Sequence, residues 1–451
     1  FGGAQHLDIH AASGQGAFAP APRVHHGAVR YPQYAHPIHP RKLSQRNSIG
    51  RHARVCRGGE MAPNRADQAR TLFLSHSTVP GGAELALVRM LRARPAWSAV
   101  LLRPPPQEPG VFAGLPIPSR VAGVVQRHGA GSAGALAQAD NAVRLVLQAV
   151  ATRTHPAFRG ADVVVANSTR AAAYAALAAR TSRVPFVVHV RDMADAEALG
   201  SAGAAIMQRI VLPRADGVIA DTQRALDSTA AFVRPDALTA VIPSASALRP
   251  RTPRPRSEGP LVVGMLARID PWKGQELLLE AFARAFPDGD ARLQLAGSAP
   301  FGHEEFAAHL RELAADRGVS DRVDVLGHVD DVDTLLDGWD IAVQASLRAE
   351  PLGQNVLQYL AAGCATVVAD EGGPTEWVRD GENGMRFVPR DTDDLARVLR
   401  TLADDPEVRQ SLGDAASRTP GLRTDAEIAQ AHAEFYDAVI ARRASAARRR
   451  A

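Results

Sequence analysis

The sequence is poor in cysteine and in long apolar runs. Its two cysteines, Cys56 and Cys364, are too few for a disulfide framework and fit a reducing compartment. No stretch of about 18 uninterrupted apolar residues occurs, so the sequence predicts no membrane-spanning helix. These absences exclude a disulfide-rich secreted scaffold and an integral membrane protein, and they favour a cytoplasmic location.

Lysine is also scarce, because the chain has fifty arginines and only two lysines. Lys42 lies in an aperiodic N-terminal stretch, whereas Lys273 lies in the body of the chain. A chain that uses arginine almost everywhere but places a lysine at one internal position raises the question of what that lysine does, although the count alone proves nothing. We therefore treat Lys273 as a candidate site residue.

The formal net charge of +4 is unevenly distributed. Eight basic residues fall in residues 1–60 and five in the last ten, so acidic residues outnumber basic ones in the rest of the chain. A nucleic-acid-binding protein concentrates basic charge on its folded domain, so no nucleic-acid partner is expected. For the basic end two interpretations stay open: peripheral contact with anionic lipid at the inner face of a membrane, or a solvated tail.

The chain is long enough for more than one domain. Its 451 residues exceed the roughly 250–300 over which one hydrophobic core keeps growing. Residues 1–65 begin with Phe, show no periodicity and lack the apolar core of a signal peptide. We predict that they are disordered, or that they are upstream sequence translated in error.

Apolar runs alternate with helical patterns in two successive stretches, 66–247 and 261–420. Near-continuous β-branched runs between helices are typical of parallel strands that are buried on both faces. Residues 248–260 contain four prolines and are the predicted linker. We predict an α/β protein with two Rossmann-like, doubly wound parallel-sheet domains facing across a cleft, then a final helix over 421–443 and a basic tail over 444–451.

Ten strands are predicted from the apolar runs, and residues 103–120 are predicted to be irregular because they contain six prolines. The predicted strands are 71–75, 98–102, 163–166, 186–190, 217–220, 261–265, 292–296, 323–326, 341–344 and 365–369. In open parallel sheets ligands bind beyond the carboxyl ends of the strands. The informative residues are therefore expected just after these runs.

Gly81 and Gly82 follow the first predicted strand. Paired glycines let a backbone approach a phosphate closely at the start of a helix. A plain tight turn is the commoner explanation of such a pair. The chain contains neither a P-loop nor a GxGxxG fingerprint at this point.

Arg268 and Lys273 lie in the loop after the first strand of the second half. Two cations in a strand-to-helix loop suit a departing diphosphate. Solvated charges at a helix start are the alternative, but Lys273 precedes a helix, where the macrodipole disfavours a cation unless an anion is bound.

A third loop, after the predicted strand 341–344, combines an acid, a turn and a helix N-terminus. Glu350 can accept hydrogen bonds from sugar hydroxyls, and amides near Gly353 can receive a phosphate. Another glycine loop follows strand 365–369. Ordinary helix-capping acids are the alternative for each carboxylate. The predicted substrate-binding residues in these two loops are Gly353, Gln354, Asn355, Gln358, Gly372 and Gly373.

Three segments carry a family resemblance: LFLSHSTVPGGAELALVRML, GMLARIDPWKGQELLLEAFARAFP and AEPLGQNVLQYLAAGCATVVADEGGPTEWVRDGENG. They resemble family 4 of the retaining GT-B glycosyltransferases. The resemblance covers about residues 71–443, is specific in the second half and is looser over 103–160. It implies a Rossmann-like acceptor domain over 66–247 and a Rossmann-like nucleotide-sugar donor domain over 261–420. It also implies a final helix that crosses back to the first domain.

The resemblance also implies roles for the second-half residues. Arg268 and Lys273 would bind the donor diphosphate and stabilise the leaving group. Glu350 would be the first acid of the E-x7-E motif and would contact the transferred sugar. The second position of that motif is Gln358, a departure from the family, and its amide would hold the ribose hydroxyls.

In the first half, Gly81 and Gly82 match the first glycine loop of the family, and Val329 in the second half would lie near the base. The family often has a histidine just after the strand equivalent to 186–190. In this chain Arg191 occupies that position and His189 lies two residues earlier. Both stay candidates for a catalytic role, and a strand-end core histidine is the alternative for His189.

The activity implied by the resemblance is hexosyltransferase-like, retaining and metal-independent. Its co-substrate would be a nucleotide-diphosphate sugar, with no other cofactor and no metal. The acceptor would be a glycan, a lipid-linked molecule or a small molecule in cell-surface glycan or glycolipid synthesis. The alternatives are a nucleotide-sugar epimerase or a glycan phosphorylase on the same fold, and a non-catalytic sugar-nucleotide-binding protein.

Overall fold

The computed structural model describes residues 69–94, 97–126, 135–249, 259–299 and 302–450. The predicted extension over 1–65 and most of the predicted linker lie outside the described residues. We use the name N-lobe for the described residues from 69 to 249, and C-lobe for those from 259 to 424.

The N-lobe contains a sheet of seven parallel strands in the order β3-β2-β1-β4-β5-β6-β7. Its central strands are short apolar runs without an exposed face, which is why they occupy the middle of the sheet. The strands are β1 Thr71–Leu74, β2 Ala99–Arg103, β3 Ser119–Val121, β4 Val163–Ala166, β5 Phe186–Val190, β6 Gly217–Ala220 and β7 Leu238–Val241. The helices are α1 Gly82–Ala93, α2 Ala135–Thr154, α3 Pro156–Arg159, α4 Thr169–Ala179, α5 Ala196–Ile206 and α6 Gln223–Asp227.

The C-lobe contains six parallel strands in the order β10-β9-β8-β11-β12-β13. Its strands are β8 Val262–Leu266, β9 Arg292–Ala296, β10 Val323–Gly327, β11 Ile341–Gln344, β12 Ala365–Ala369 and β13 Met385–Phe387. Its helices are α7 Gln275–Ala285, α8 Glu304–Asp316, α9 Val332–Asp337, α10 Gln354–Ala362, α11 Pro374–Trp377, α12 Thr392–Asp404 and α13 Pro406–Ser417.

Both sheets follow the Rossmann strand order. In each lobe the first three strands are added toward one edge of the sheet, and from the fourth strand onward they are added toward the other edge. This confirms the predicted fold class of two doubly wound parallel-sheet domains. This strand order creates one crevice in each lobe, where the loops that follow two neighbouring strands diverge. The crevice lies between β1 and β4 in the N-lobe and between β8 and β11 in the C-lobe.

The last helix, α14 (Asp425–Arg450), packs on the N-lobe although it follows the C-lobe in sequence. Its residues Ile428 and Tyr436 belong to the same apolar cluster as Phe73 and Trp97, and the Tyr436 and Trp97 rings stack with centroids 5.9 Å apart. The helix continues without a break through 444–450, which were predicted to be a separate basic tail. Alanine and arginine are strong helix formers, which explains the extension.

None of the helices in the described part of the chain is both long and apolar enough to cross a bilayer.

Candidate functional site

The loops after β8 and β11 meet at the crevice of the C-lobe sheet. Gly274, between them, has a φ of +82°, and a Cβ placed on it would lie 1.9 Å from the Ala345 carbonyl oxygen. Only glycine tolerates both the left-handed backbone and this approach. The Leu347 N–H donates to the Trp272 carbonyl oxygen at 2.7 Å, so the two loops form one structure.

Lys273 and Glu350, predicted separately, contact each other directly at this junction. The Lys273 ammonium donates a hydrogen bond to Glu350 Oε1, and the Ser346 hydroxyl donates to the same oxygen at 2.7 Å. The ammonium also lies 3.9 Å from the centroid of the Trp272 ring. Both charged side chains are largely enclosed, with 16% and 9% of their surface exposed. The fold thus places one cation, Lys273, and one carboxylate, Glu350, in contact at the crevice of the C-lobe sheet.

The second glycine loop supports Glu350 through its backbone. The Gly373 N–H donates to the Glu350 carbonyl oxygen at 2.7 Å. Gly372 has a φ of +74°, and a Cβ on it would lie 2.6 Å from that same oxygen. A Cβ on Gly373 would lie 2.1 Å from the Pro351 carbonyl oxygen. The two glycines predicted to bind substrate therefore lie against the peptide that carries Glu350.

Arg268 lies on the same loop as Lys273 but nearer to solvent, with 40% of its side chain exposed. Its guanidinium lies 3.7 Å from the Asp270 carboxylate. Its carbonyl oxygen accepts a hydrogen bond from the Gln275 side chain at 2.7 Å. The structure thus brings both predicted cations onto one loop and pairs them with different carboxylates.

Helix α10 begins at Gly353, whose φ of +76° makes it a left-handed N-cap. The Gln354 side chain reaches the other lobe, donating to the Gly82 carbonyl oxygen at 3.1 Å and accepting from Arg89 at 3.3 Å. Asn355 instead donates to the Leu266 carbonyl oxygen at the end of β8. Of these two predicted substrate-binding side chains, Gln354 therefore links the two lobes through Gly82 and Arg89, whereas Asn355 links α10 to the end of β8.

Gln358 faces a cavity of about 500 Å³ between the lobes. Acidic residues of the C-lobe and arginines of the N-lobe share its lining, including Arg89, Arg249, Asp331 and Asp333. Val329 packs, partly buried, beside the apolar cluster around Trp339. Asp330, the neighbour of Val329 in sequence, lines the same cavity as Gln358.

On the N-lobe side, His189 is a buried strand-end residue. Its Nε2 lies 2.8 Å from Asp221 Oδ1, and only 4% of each side chain is exposed. Burial, together with the nearby Arg191, lowers the pKa of His189 below its ordinary value. The Ser244 hydroxyl donates to Asp221 at 2.9 Å. His189 is thus the inner end of a polar network.

Arg191 is the outer end of that network. It donates to the Asn167 carbonyl oxygen at 3.1 Å, to the Asn167 side chain at 2.8 Å and to the Ser244 hydroxyl. Of the two candidates left open by the sequence, Arg191 is the more exposed, at 10% against 4% of the side chain, and both lie beside Asp221.

Asp192 follows Arg191 and was not assigned a role from the sequence. Its side chain reaches solvent, but the protein that surrounds it partly desolvates the carboxyl and raises its pKa, and the Asp221 and Glu350 carboxylates raise the pKa further. Asp192 belongs to the N-lobe and Glu350 to the C-lobe, so this charge effect on the Asp192 pKa acts from one lobe to the other. The signal that could have found Asp192 is its position just after β5, on the rim where ligands bind.

Among the residues that the structure describes, no group of three or more His, Cys, Asp or Glu side chains is arranged to hold a metal ion.

Two family models match the chain. Residues 80–245 match the glycosyl transferase 4-like domain, and residues 250–419 match the glycosyl transferases group 1 model. Together they span both lobes.

Individual relatives agree with these models. The chain is 34% identical over 163 residues to the lipopolysaccharide core biosynthesis glycosyltransferase LpsE of Rhizobium meliloti, which is 36% of this chain and 45% of that protein. It is 36% identical over 154 residues to the D-inositol 3-phosphate glycosyltransferase of Geodermatophilus obscurus, which is 32% of this chain and 34% of that protein. The chain therefore spans less than half the length of these curated relatives.

A solved structure with a similar fold is that of Anabaena Alr3699/HepE, determined in complex with UDP and glucose. The two share 25% sequence identity with a TM-score of 0.68, over 82% of this chain and 100% of that one.

Proposed function

The chain belongs to family 4 of the GT-B glycosyltransferases, and from this premise we propose that it transfers a sugar from a nucleotide-diphosphate sugar to an acceptor hydroxyl. We propose that the transfer retains the anomeric configuration and needs neither a metal nor another cofactor. The binding of UDP, UDP-glucose and glucose by HepE makes UDP-sugars the first donors to test.

The observation that carries the proposal is the contact between Lys273 and Glu350 at the crevice of the C-lobe sheet. A buried ion pair is retained at a cost in desolvation, so its position has to be explained by more than stability. A diphosphate would compete with Glu350 for the Lys273 ammonium. Glu350 would then be free to accept hydrogen bonds from hydroxyls of the sugar beside it.

In the proposed reaction, the bond between the sugar C1 and the diphosphate oxygen breaks while a bond from C1 to the acceptor oxygen forms on the same face. The acceptor proton passes to the departing diphosphate. Lys273, Arg268 and the amides at the start of α10 neutralise the charge that grows on the diphosphate. Glu350 and Asp192 offset the positive charge that develops on the sugar ring.

The acceptor is proposed to belong to cell-surface glycans or glycolipids. The name of the LpsE relative supports this class, but that match covers only part of LpsE. Incubation of the protein and a labelled UDP-sugar with cell-envelope extract should give labelled glycan or glycolipid. Label found only in free sugar would contradict this acceptor class.

Lys273→Ala tests the proposed donor site. We expect turnover of the preferred donor to fall by about 10²–10³-fold, because one preorganised donor to the leaving group is lost. Lys273→Arg should recover only part of the activity, because a planar guanidinium does not replace a compact ammonium. Release of nucleoside diphosphate measures the rate.

The matched control is Arg317→Ala, which removes an exposed cation that follows α8 and pairs with Glu280 of α7. It should leave turnover unchanged, and thermal unfolding should show that all variants fold. Near-normal turnover of Lys273→Ala would count against the donor site. The anomeric configuration of the product, read by NMR, tests retention separately, and an inverted product would refute it.

A further inference from the structure

Helix α2 is apolar on two sides, and the described residues cover only one of them. The inner side packs on the N-lobe core, where Ala149 is buried and Leu145 lies against the same cluster. On the outer side six apolar residues are exposed, and the four large ones are about half exposed (49–56%). We call these six residues the outer stripe: Ala139, Ala142, Val143, Val146, Leu147 and Val150. A surface helix ordinarily has one apolar stripe, which faces the core, and polar residues on its other side.

Exposed apolar side chains are concentrated on the outer stripe. Of the eleven large hydrophobic side chains that are exposed in the described part of the chain, four belong to it. A fifth, Val125, lies beside the helix, since its carbonyl oxygen accepts a hydrogen bond from Arg144 at 3.2 Å. The other six belong to six separate segments of the chain. The stripe and Val125 together expose on the order of 400 Å² of apolar surface, a patch size that is often functional.

The stripe has the spacing of a contact between two helices. Ala139, Val143, Val146 and Val150 follow one another at intervals of four, three and four residues. With this spacing the side chains of one helix fit between those of a neighbouring helix. Valine also loses little freedom on burial, because its χ1 angle is already restricted in a helix. A helix with the same small and branched side chains suits this surface, and a second copy of α2 is such a helix.

The charges near the stripe favour a protein partner over an anionic lipid surface. A helix that lies on such a bilayer has basic residues free for the headgroups and aromatic residues on its apolar face. The two arginines of α2 are instead held within the chain. Arg144 donates to Asp140 at 2.8 Å, and the Arg153 guanidinium lies over the Phe158 ring, 5.5 Å from its centroid. The stripe itself contains no charged and no aromatic residue, so two copies of it meet without repulsion.

The stripe is also large enough for a specific contact between two copies. A standard interface takes about 800 Å² from each partner, and a little over half of that area is apolar. The outer stripe and Val125 supply most of that apolar share. In a two-fold contact both copies offer the same surface, so each contributes equally.

We propose that the outer stripe packs against the outer stripe of a second copy of this chain. The protein is then a two-fold symmetric dimer joined through the α2 helices of its N-lobes. Removal of the exposed apolar surface from water drives the contact. None of the stripe residues takes part in the proposed donor chemistry, so the test of the dimer is independent of the transferase activity.

Sedimentation velocity of the full chain over about 1–100 μM tests the proposal, since interfaces of this kind have micromolar or tighter affinity. Wild-type protein should sediment as a dimer. Val146 is at the middle of the stripe and therefore lies beside Val146 of the other copy, whether the helices run parallel or antiparallel. Val146→Glu and Val146→Lys should each weaken the dimer by about 100-fold or more, because two like charges meet. An equal mixture of the two variants should dimerise again, because opposite charges then meet.

The matched control is Val408→Glu, which places the same charge at an exposed valine of α13 and should leave the dimer intact. Val143→Glu, one turn before Val146, should also weaken the dimer, so the test does not depend on one variant, and circular dichroism checks that each variant folds. A monomeric wild type, or dimers unchanged in Val146→Glu and Val143→Glu, would overturn the proposal. Wild-type protein that stays monomeric and binds phosphatidylglycerol vesicles, with binding lost in Val146→Glu, would assign the stripe to a lipid surface instead.

Discussion

At the scale of single residues, Gly274 determines where Lys273 lies. Its left-handed backbone and its contact with the Ala345 carbonyl oxygen leave no space for a side chain. Gly318 offers a matched comparison, because it has a similar φ of +70° and a Cβ added to it would meet no atom within 4 Å. Comparing alanine substitutions at Gly318 and Gly274 therefore separates the stability lost through backbone strain from the stability and activity lost when the site is disturbed.

Gly318→Ala should destabilise the protein by about 1–2 kcal/mol through strain alone and leave sugar transfer intact. Gly274→Ala should cost more stability and should also lower transfer, because the loop that carries Lys273 must move. Urea denaturation and the donor-release assay measure the two effects. Equal losses in both variants would show that the contact with Ala345 is unimportant.

His432 gives the fold a dependence on pH. It is buried in α14 with its ring centroid 5.2 Å from that of His189, and burial, then His189, lowers its pKa to about 3. Between the ordinary pKa of about 6.5 and this value, the unfolded chain binds a proton that the folded chain does not. Stability present above pH 6.5 is therefore lost as the pH falls, by up to about 1.4 kcal/mol per pH unit.

His432→Phe should reduce this loss between about pH 7 and pH 5, because it keeps a ring but removes one of the two buried titrating histidines, leaving His189. Chemical denaturation at several pH values measures the slope, and His309→Gln, at an exposed position, serves as the control. A slope as steep in His432→Phe as in wild type would assign the pH dependence to other groups.

Much of the residue-level site follows from sequence position. Lys273 and Glu350 were predicted because lysine is rare and because both follow strands of a parallel sheet. Their direct contact was not predicted, because it depends on how two loops far apart in sequence meet. Likewise, the sequence offered both His189 and Arg191, and only the Asp221 contact shows that His189 is internal.

At the scale of elements, α6 of the N-lobe is held by the C-lobe. The Glu376 carboxylate accepts from the backbone N–H groups of Gln223 and Arg224 at 2.9 and 2.8 Å. The Thr222 hydroxyl donates to the Pro351 carbonyl oxygen at 2.9 Å. The peptide segment around Glu350 is therefore tied to the opposite lobe, which fixes the width of the cleft.

Glu376→Ala should weaken this attachment by about 1–3 kcal/mol, because the charged partner of two backbone donors is lost. We expect a larger radius of gyration in small-angle X-ray scattering and a higher KM for the donor. Glu382→Ala is the control, since Glu382 pairs only locally with Arg379 on the surface. Unchanged scattering and KM would show that other contacts set the cleft.

The elements that were predicted best are the central strands, because continuous apolar runs have few alternatives. The short edge strands β3, β7 and β13 were not among the ten predicted strands, since three or four residues carry too little pattern to recognise. Helix α13 was also missed, although its proline, Pro406, occupies the first position, where the missing N–H costs nothing. An edge strand forms because it pairs with the strand next to it in the sheet, and the local sequence does not show which strand that is.

At the scale of the whole molecule, two similar lobes place different chemistry on facing crevices. The C-lobe crevice contributes Lys273, Arg268 and Glu350, whereas the N-lobe crevice contributes Arg191 and Asp192. The observed strand order explains this division, because each sheet has one such crevice. The facing of the crevices depends on lobe contacts such as that of Gln354 with Gly82, which the sequence did not reveal.

Calorimetric binding of UDP, GDP and ADP to wild-type protein and to Lys273→Ala tests the central claim most directly. At least one nucleoside diphosphate should bind wild type, and Lys273→Ala should weaken it about tenfold or more, since a charged contact to phosphate is lost. Binding of the matching nucleoside should be the same in both proteins. Equal affinity of both proteins for the diphosphate would contradict the account.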